Sequence, residues 1–176
     1  MPSFIPEITT RVIVEADISE IEDALSLANS ENYLSGYVDI LEEKKSKLKS
    51  LEEPVAQSVA EELKSNQETI ISTKHYITGM MSNSVDIFED AKDRLVGNTA
   101  TSVDGFPYPL AIEKGSSSHW IEPVTYDALH WSDSSGEHFS KGHMVSGIKP
   151  DPFVQYSIDE TIRNITSVVN DALGGL

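Results

Sequence analysis

The chain predicts an α+β fold: helices first, then a β-hairpin, then a closing C-terminal helix. Three observations predict it. Apolar residues recur at helical spacing from Ile21 to Leu63. Two short runs, 84–89 and 93–99, stand at hairpin spacing across Asp90–Lys92. An amphipathic tail at 155–173 follows the stiff stretch Gly147-Ile148-Lys149-Pro150-Asp151-Pro152-Phe153-Val154.

Taken in order, residues 1–18 read as an extended arm or strand. Ile8 to Ala16 is β-branched, with Pro2 and Pro6 before it. Such an arm needs a sheet to join, and a neighbouring chain could supply one. Asp17 or Ser19 caps the next helix, with Glu20 and Glu22 in its first turn. Asn29, Ser30, Ser35 and Gly36 break it. The period resumes through Val38, Leu41, Leu48 and Leu51, opposite Glu42, Glu43, Lys44, Lys45, Lys47 and Lys49. Glu43 and Lys47 are spaced to pair on this solvated face. Pro54 suits the first turn of a further helix, with Val55, Val59 and Leu63 as its stripe, running to Tyr76 and stopped by Gly79. After the hairpin, residues 108–113 read as a strand ending at Gly115. Residues 128–131 read as a short strand, and 132–147 as a polar loop or hairpin tip. Two prolines hold the residues before them extended and set where Phe153 lands. The last helix starts near Pro152 and carries Tyr156, Ile158, Ile162, Ile165, Val168, Val169 and Ala172; Ser157 to Glu160 offers it a local cap. Residues 19–176 thus read as one α+β domain with a long loop at about 115–147.

Composition narrows the function. The chain has 176 residues, 29 acidic and 13 basic, for a formal net charge of −16. So acidic a surface repels phosphate backbones and anionic membranes, and suits docking to a basic partner. There is no cysteine, which excludes disulfides and thiolate metal sites. No stretch reaches the roughly 18 apolar residues that span a bilayer. The N-terminus lacks the basic and apolar regions of a signal peptide.

Chemistry-bearing patterns are sparse. His119, His130, His138 and His143 fall in one segment with Asp127, Asp133 and Glu137. Imidazole and carboxylate together can hold a metal ion, but the spacings fit no compact ligand motif. The four histidines are therefore metal candidates only in the alternative that the chain is a metal-dependent enzyme. Ser116-Ser117-Ser118-His119 lacks a nucleophile elbow and an acid partner. No phosphate-cradling glycine loop occurs. The sequence implies no cofactor and no catalytic residue. Trp120 and Trp131 each follow a histidine and are candidate interface anchors. Phe153, Tyr156 and Ile13 join them as interface candidates.

Three stretches also carry a resemblance. Thr78-Gly79-Met80-Met81-Ser82-Asn83-Ser84-Val85 looks like T-G-x-L-x-x-S-I. Tyr108-Pro109-Leu110-Ala111-Ile112-Glu113-Lys114-Gly115 looks like a Y-A-x-x-x-E-F-G strand, with Lys114 in place of the aromatic. Gly147 to Val154 looks like G-x-x-x-x-P-F-L before a last helix. In this order, over roughly residues 55–173, they resemble the tail-completion or head–tail joining proteins of long-tailed (siphovirus-type) phages and archaeal tailed viruses, the minor tail components of the neck. The resemblance implies N-terminal helices packed on a twisted antiparallel sheet. It implies a virion part assembled in the host cytoplasm as a ring of six copies, between the capsid connector or adaptor and the tail tube or terminator. It implies no catalytic residue, with DNA passing through the lumen; the acidic charge argues against sequence-specific nucleic-acid binding and against membrane contact. A stand-alone adaptor module without a ring is the remaining alternative.

Overall fold

The structure, a computed structural model, describes residues 8–74, 79–103 and 105–174. It is an α+β protein with antiparallel sheets and a C-terminal helix. Its contacts cluster into two compact units: residues up to Ala100 together with those from Phe153 onward, and Thr101–Pro152 between them. Where the sequence predicts one domain over 19–176, the long polar stretch instead makes its own local ladders.

The first unit is built on a three-stranded sheet in the order β1-β3-β2, from β1 (Thr9–Val12), β2 (Val85–Asp90) and β3 (Asp93–Asn98). The 8–16 run is a strand only over these four residues. It pairs with β3 of its own chain, Thr9 opposite Gly97 and Val12 opposite Arg94, in place of the neighbouring chain weighed above. β2 and β3 form the expected hairpin, Val85 opposite Asn98 and Asp90 opposite Asp93. Ala91 turns it with a left-handed backbone, φ +54°. β3 is the central strand and is buried from Arg94 to Asn98.

Helix α1 (Ser19–Ser30) is preceded by Asp17, whose carboxylate accepts hydrogen bonds from Ser19 N at 3.1 Å and Ser19 Oγ at 2.7 Å. Those bonds hold the Asp17 carboxyl below its usual range. A 3₁₀ turn over Asn32–Tyr37 occupies the predicted break. Helix α2 (Val38–Ser50) follows, with no buried residue. Lys45 ties it to Glu22 of α1 at 3.0 Å. Helix α3 (Glu52–Lys74) buries Val55, Ala56, Ala60, Leu63, Gln67 and Ile71, and packs on all three strands. Its predicted end, from His75 to Thr78, lies outside the described residues, as does the first residue of the Thr78 motif.

Helix α5 (Phe153–Gly174) lies antiparallel along α3. Asn66 Nδ2 donates to Thr161 Oγ1 at 3.0 Å, and Asn164 Nδ2 donates to Glu62 Oε1 at 3.0 Å. The buried α5 positions are Phe153, Ser157 and Thr161, one turn apart. Ser157 therefore does not cap the helix. Its hydroxyl donates to Val154 O inside the first turns, at 2.7 Å. Phe153 is fully buried, which removes it from the interface candidates and makes it core.

The second unit begins with a helix where the sequence predicts a strand. Residues Tyr108–Lys114 form a helix, α4, not a strand. Pro109 sits in its first turn, where no backbone donor is needed, and Leu110, Ala111, Glu113 and Lys114 favour helix. Four short strands follow: β4 (His119–Ile121), β5 (Leu129–Asp133), β6 (Gly136–Ser140) and β7 (His143–Val145). They pair as two antiparallel ladders, β4 with β7 and β5 with β6. Ser116 N donates to Ile148 O at 2.9 Å, and Asp151 N to Ile112 O at 2.9 Å, which closes the unit on itself.

Candidate functional site

The two ladders carry most of the residues that the sequence singles out. In β5–β6, strand alternation sorts the side chains. His130 faces Phe139 directly across the ladder, and Trp131 faces His138. The first pair stacks with ring centroids 4.6 Å apart and planes 8° apart. The second stacks at 5.2 Å and 20°. Since neighbours along a strand point to opposite faces, the hairpin presents one aromatic–imidazole pair on each side.

The Trp131 side is the inner one. Its indole also meets the His143 ring of β7 at 4.9 Å, and His143 Nδ1 is buried without a hydrogen-bond partner. The His130 side looks out. It borders a hollow of about 690 Å³ lined by Pro123, Val124, Tyr126, Leu129, His130 and Phe139. Val124, Tyr126 and Phe139 are exposed large side chains, as is Met144 on β7. Trp120 on β4 is 58% exposed, and its indole lies flush over Gly142.

The hairpin tip is set by hydrogen bonds. Asp133 Oδ1 accepts from Ser135 N at 2.7 Å and Ser135 Oγ at 2.6 Å, and lies 3.0 Å from His138 Nε2. These contacts, the Ser135 hydroxyl first, hold the Asp133 carboxyl below its usual range. Gly136 supplies the left-handed backbone of the turn, φ +124°.

The metal alternative can be placed residue by residue. His138 meets Asp133; His130 lies 3.7 Å from Glu137; His143 lies against Trp131; His119 Nδ1 lies 3.1 Å from Ser117 O. Among the described residues, no three histidine or carboxylate side chains group where they could share an ion.

Of the interface candidates, Trp120 and Trp131 lie in this unit, Trp131 at 40% exposure. Ile13 and Tyr156 lie exposed on the first unit, where Lys74 Nζ sits 4.0 Å above the Tyr156 ring. Sequence reasoning missed Val124, Tyr126, Phe139 and Met144. Their signal is faint: they are single large apolar residues scattered in a polar stretch, and only the structure shows them exposed. Among the described residues, no helix is long and apolar enough to cross a membrane. No family model, curated protein or solved structure matches the chain.

Proposed function

We propose that this chain is a structural, non-catalytic virion protein of the neck, joining the capsid connector to the tail tube as a homo-oligomeric ring. The observation that carries the assembly part is the surface of the second unit. Trp120, Phe139 and Met144 stand exposed on ladders only three to five residues long, and Val124 and Tyr126 stand exposed on the connection between β4 and β5. Exposed aromatic and methionine side chains gathered on one small unit mark a surface that a partner covers. The neck assignment rests on the sequence resemblance of the Thr78–Val85 and Gly147–Val154 stretches. The third stretch, 108–115, is helical here and lends it no support. The net charge of −16 suits a ring through which DNA must slide without being gripped.

Gold-labelled antibody against the chain, applied to purified virus particles of the producing host, tests this. Label at the head–tail junction is expected. Particles without label there, from a host that makes the protein, would overturn the reading.

A further inference from the structure

The first unit carries two surfaces that no described part of the chain satisfies. On α2, Ile40, Lys44, Lys47 and Leu48 share one face by helical spacing, and Tyr37 ends the 3₁₀ turn just before it. Tyr37, Ile40 and Leu48 are exposed apolar side chains. Lys44 and Lys47 make no ion pair with any described residue, whereas Lys45, one position round, is held by Glu22. This helix holds four of the 13 basic residues of the chain within six positions.

Elsewhere on the same unit, α3 and α5 leave a shallow groove of about 440 Å³. It is lined by Ser58, Glu61, Glu62, Val168, Asp171 and Ala172. Ser58, Val168 and Ala172 are its small side chains, and Glu61, Glu62 and Asp171 add three carboxylates. Glu61 accepts a hydrogen bond from Gln57 and Glu62 from Asn66 and Asn164, but none of the three meets a described cation. One surface sets exposed apolar side chains beside two lysines that make no described ion pair; the other sets two small apolar side chains beside three carboxylates that meet no described cation.

We infer that α2 of one copy docks in the α3–α5 groove of a second copy of this chain. Ile40 or Leu48 would meet Val168 and Ala172, and Lys44 and Lys47 would meet Glu61 and Asp171. Two different patches meet, so the contact is heterologous. Each copy keeps one unused surface at either end, and such contacts propagate until a ring closes. The lysines do not favour a polyanion instead. Three carboxylates, Asp39, Glu42 and Glu43, share their helix, and the rest of the chain is strongly acidic. The inference rests on the ring reading above only for closure; the docking itself rests on these two surfaces.

Sedimentation velocity tests it with the wild-type chain, Lys44→Glu/Lys47→Glu, Glu61→Lys/Asp171→Lys, and an equal mixture of the two variants. All substituted positions are on the surface, and matching circular dichroism melts check that both variants fold. The wild type is expected to associate at low salt and to dissociate near about 1 M salt, where screening reaches about 3 Å. Each variant alone is expected to associate at least about tenfold more weakly, the factor that 1.4 kcal/mol of lost contact gives. The mixture is expected to regain association, since each variant then meets its opposite charge. A wild type that stays monomeric overturns the inference. So does association that neither reversal weakens, or a monomer that these lysines retain on duplex DNA. Rings that persist in both variants would sink the docking and leave the ring reading standing. Docking confirmed without label at the head–tail junction would do the reverse.

Discussion

At Gly142 a single added methyl would lie 2.8 Å from Trp120 Cζ2, on a backbone already at φ +149°. At Gly136 the backbone is also left-handed, φ +124°, but nothing stands within 4 Å of that methyl. Gly142→Ala therefore adds overlap with the largely exposed Trp120 indole to backbone strain, while Gly136→Ala adds strain only. Urea unfolding followed by tryptophan emission should show the larger loss at Gly142; equal losses would show that the indole does not rest there. Arg94 poses a different case. It is 4% exposed, and its guanidinium donates to Gln57 Oε1 at 2.7 Å, Glu53 Oε1 at 2.8 Å and Asp93 O at 3.1 Å. Glu53 itself is largely in water. Arg94→Ala should lower stability by about 1–3 kcal/mol, through its lost hydrogen bonds and buried stem, and Glu53→Gln by a comparable amount, since it leaves the buried guanidinium without its anion. Denaturant midpoints measure both. Asp133 titrates below its ordinary value of 3.8 because the folded hairpin bonds its charged form. Its folded pKa is depressed, so its contribution is full above the unfolded pKa and disappears as pH falls through the folded one. Carboxyl carbon NMR should place its midpoint below 3.8; a midpoint at or above that value would mean the Ser135 and His138 contacts are not kept in solution.

Between residues and the molecule stand the hairpin and the long helices. The β2–β3 turn has only Ala91 and Lys92 between the paired Asp90 and Asp93, and Ala91 holds a conformation that glycine adopts without penalty. Ala91→Gly should raise stability by up to about 1–2 kcal/mol, visible as a higher thermal midpoint; a lower one would mean that the turn relaxes out of the left-handed region. The hairpin, the 3₁₀ break after α1 and the presence of α5 are legible in the sequence, because turn chemistry and periodicity are local. The buried face of α5 is not. Its apolar stripe reads Ile158, Ile162, Ile165 and Val169, yet Ile162 is exposed, and the line against α3 is Phe153, Ser157 and Thr161. Small hydroxyl side chains let the two helices approach and satisfy themselves on α5 carbonyls, Thr161 Oγ1 donating to Ser157 O at 2.8 Å. That choice depends on what α3 presents, including the buried Gln67, and not on α5 alone. Residues 108–114 mislead for a related reason. Tyr-Pro-Leu-Ala-Ile fits strand and helix equally over so short a run, and Pro109 is acceptable in the first turn of a helix. Trp120 and Trp131 stand out in the sequence by residue type, and both lie exposed on the second unit. The pairing of His130 with Phe139 needs the register, which no single residue announces.

For the whole molecule, the division into two units has a direct test. The core of the first unit comes from both sides of the second, since Val96 and Ala100 are buried before it and Phe153 after it. Replacing 101–152 by a flexible glycine–serine linker should leave one cooperative unfolding transition with the helix signal of α1, α2, α3 and α5. Loss of cooperativity would show that the inner unit supports the outer one. The same interruption shapes how the chain is made. α3 and the sheet are synthesised with one flank uncovered, and Asn66 waits 95 positions for Thr161. The inner unit draws only on residues 101–152, so all of it leaves the ribosome before Phe153 does. Contacts so far apart in sequence form slowly, and the uncovered flank of α3 stays exposed to other nascent chains in the meantime. A growing polypeptide thus carries a completed insert on an open half-domain, and a chaperone that shields α3 during that interval would raise the yield of folded protein.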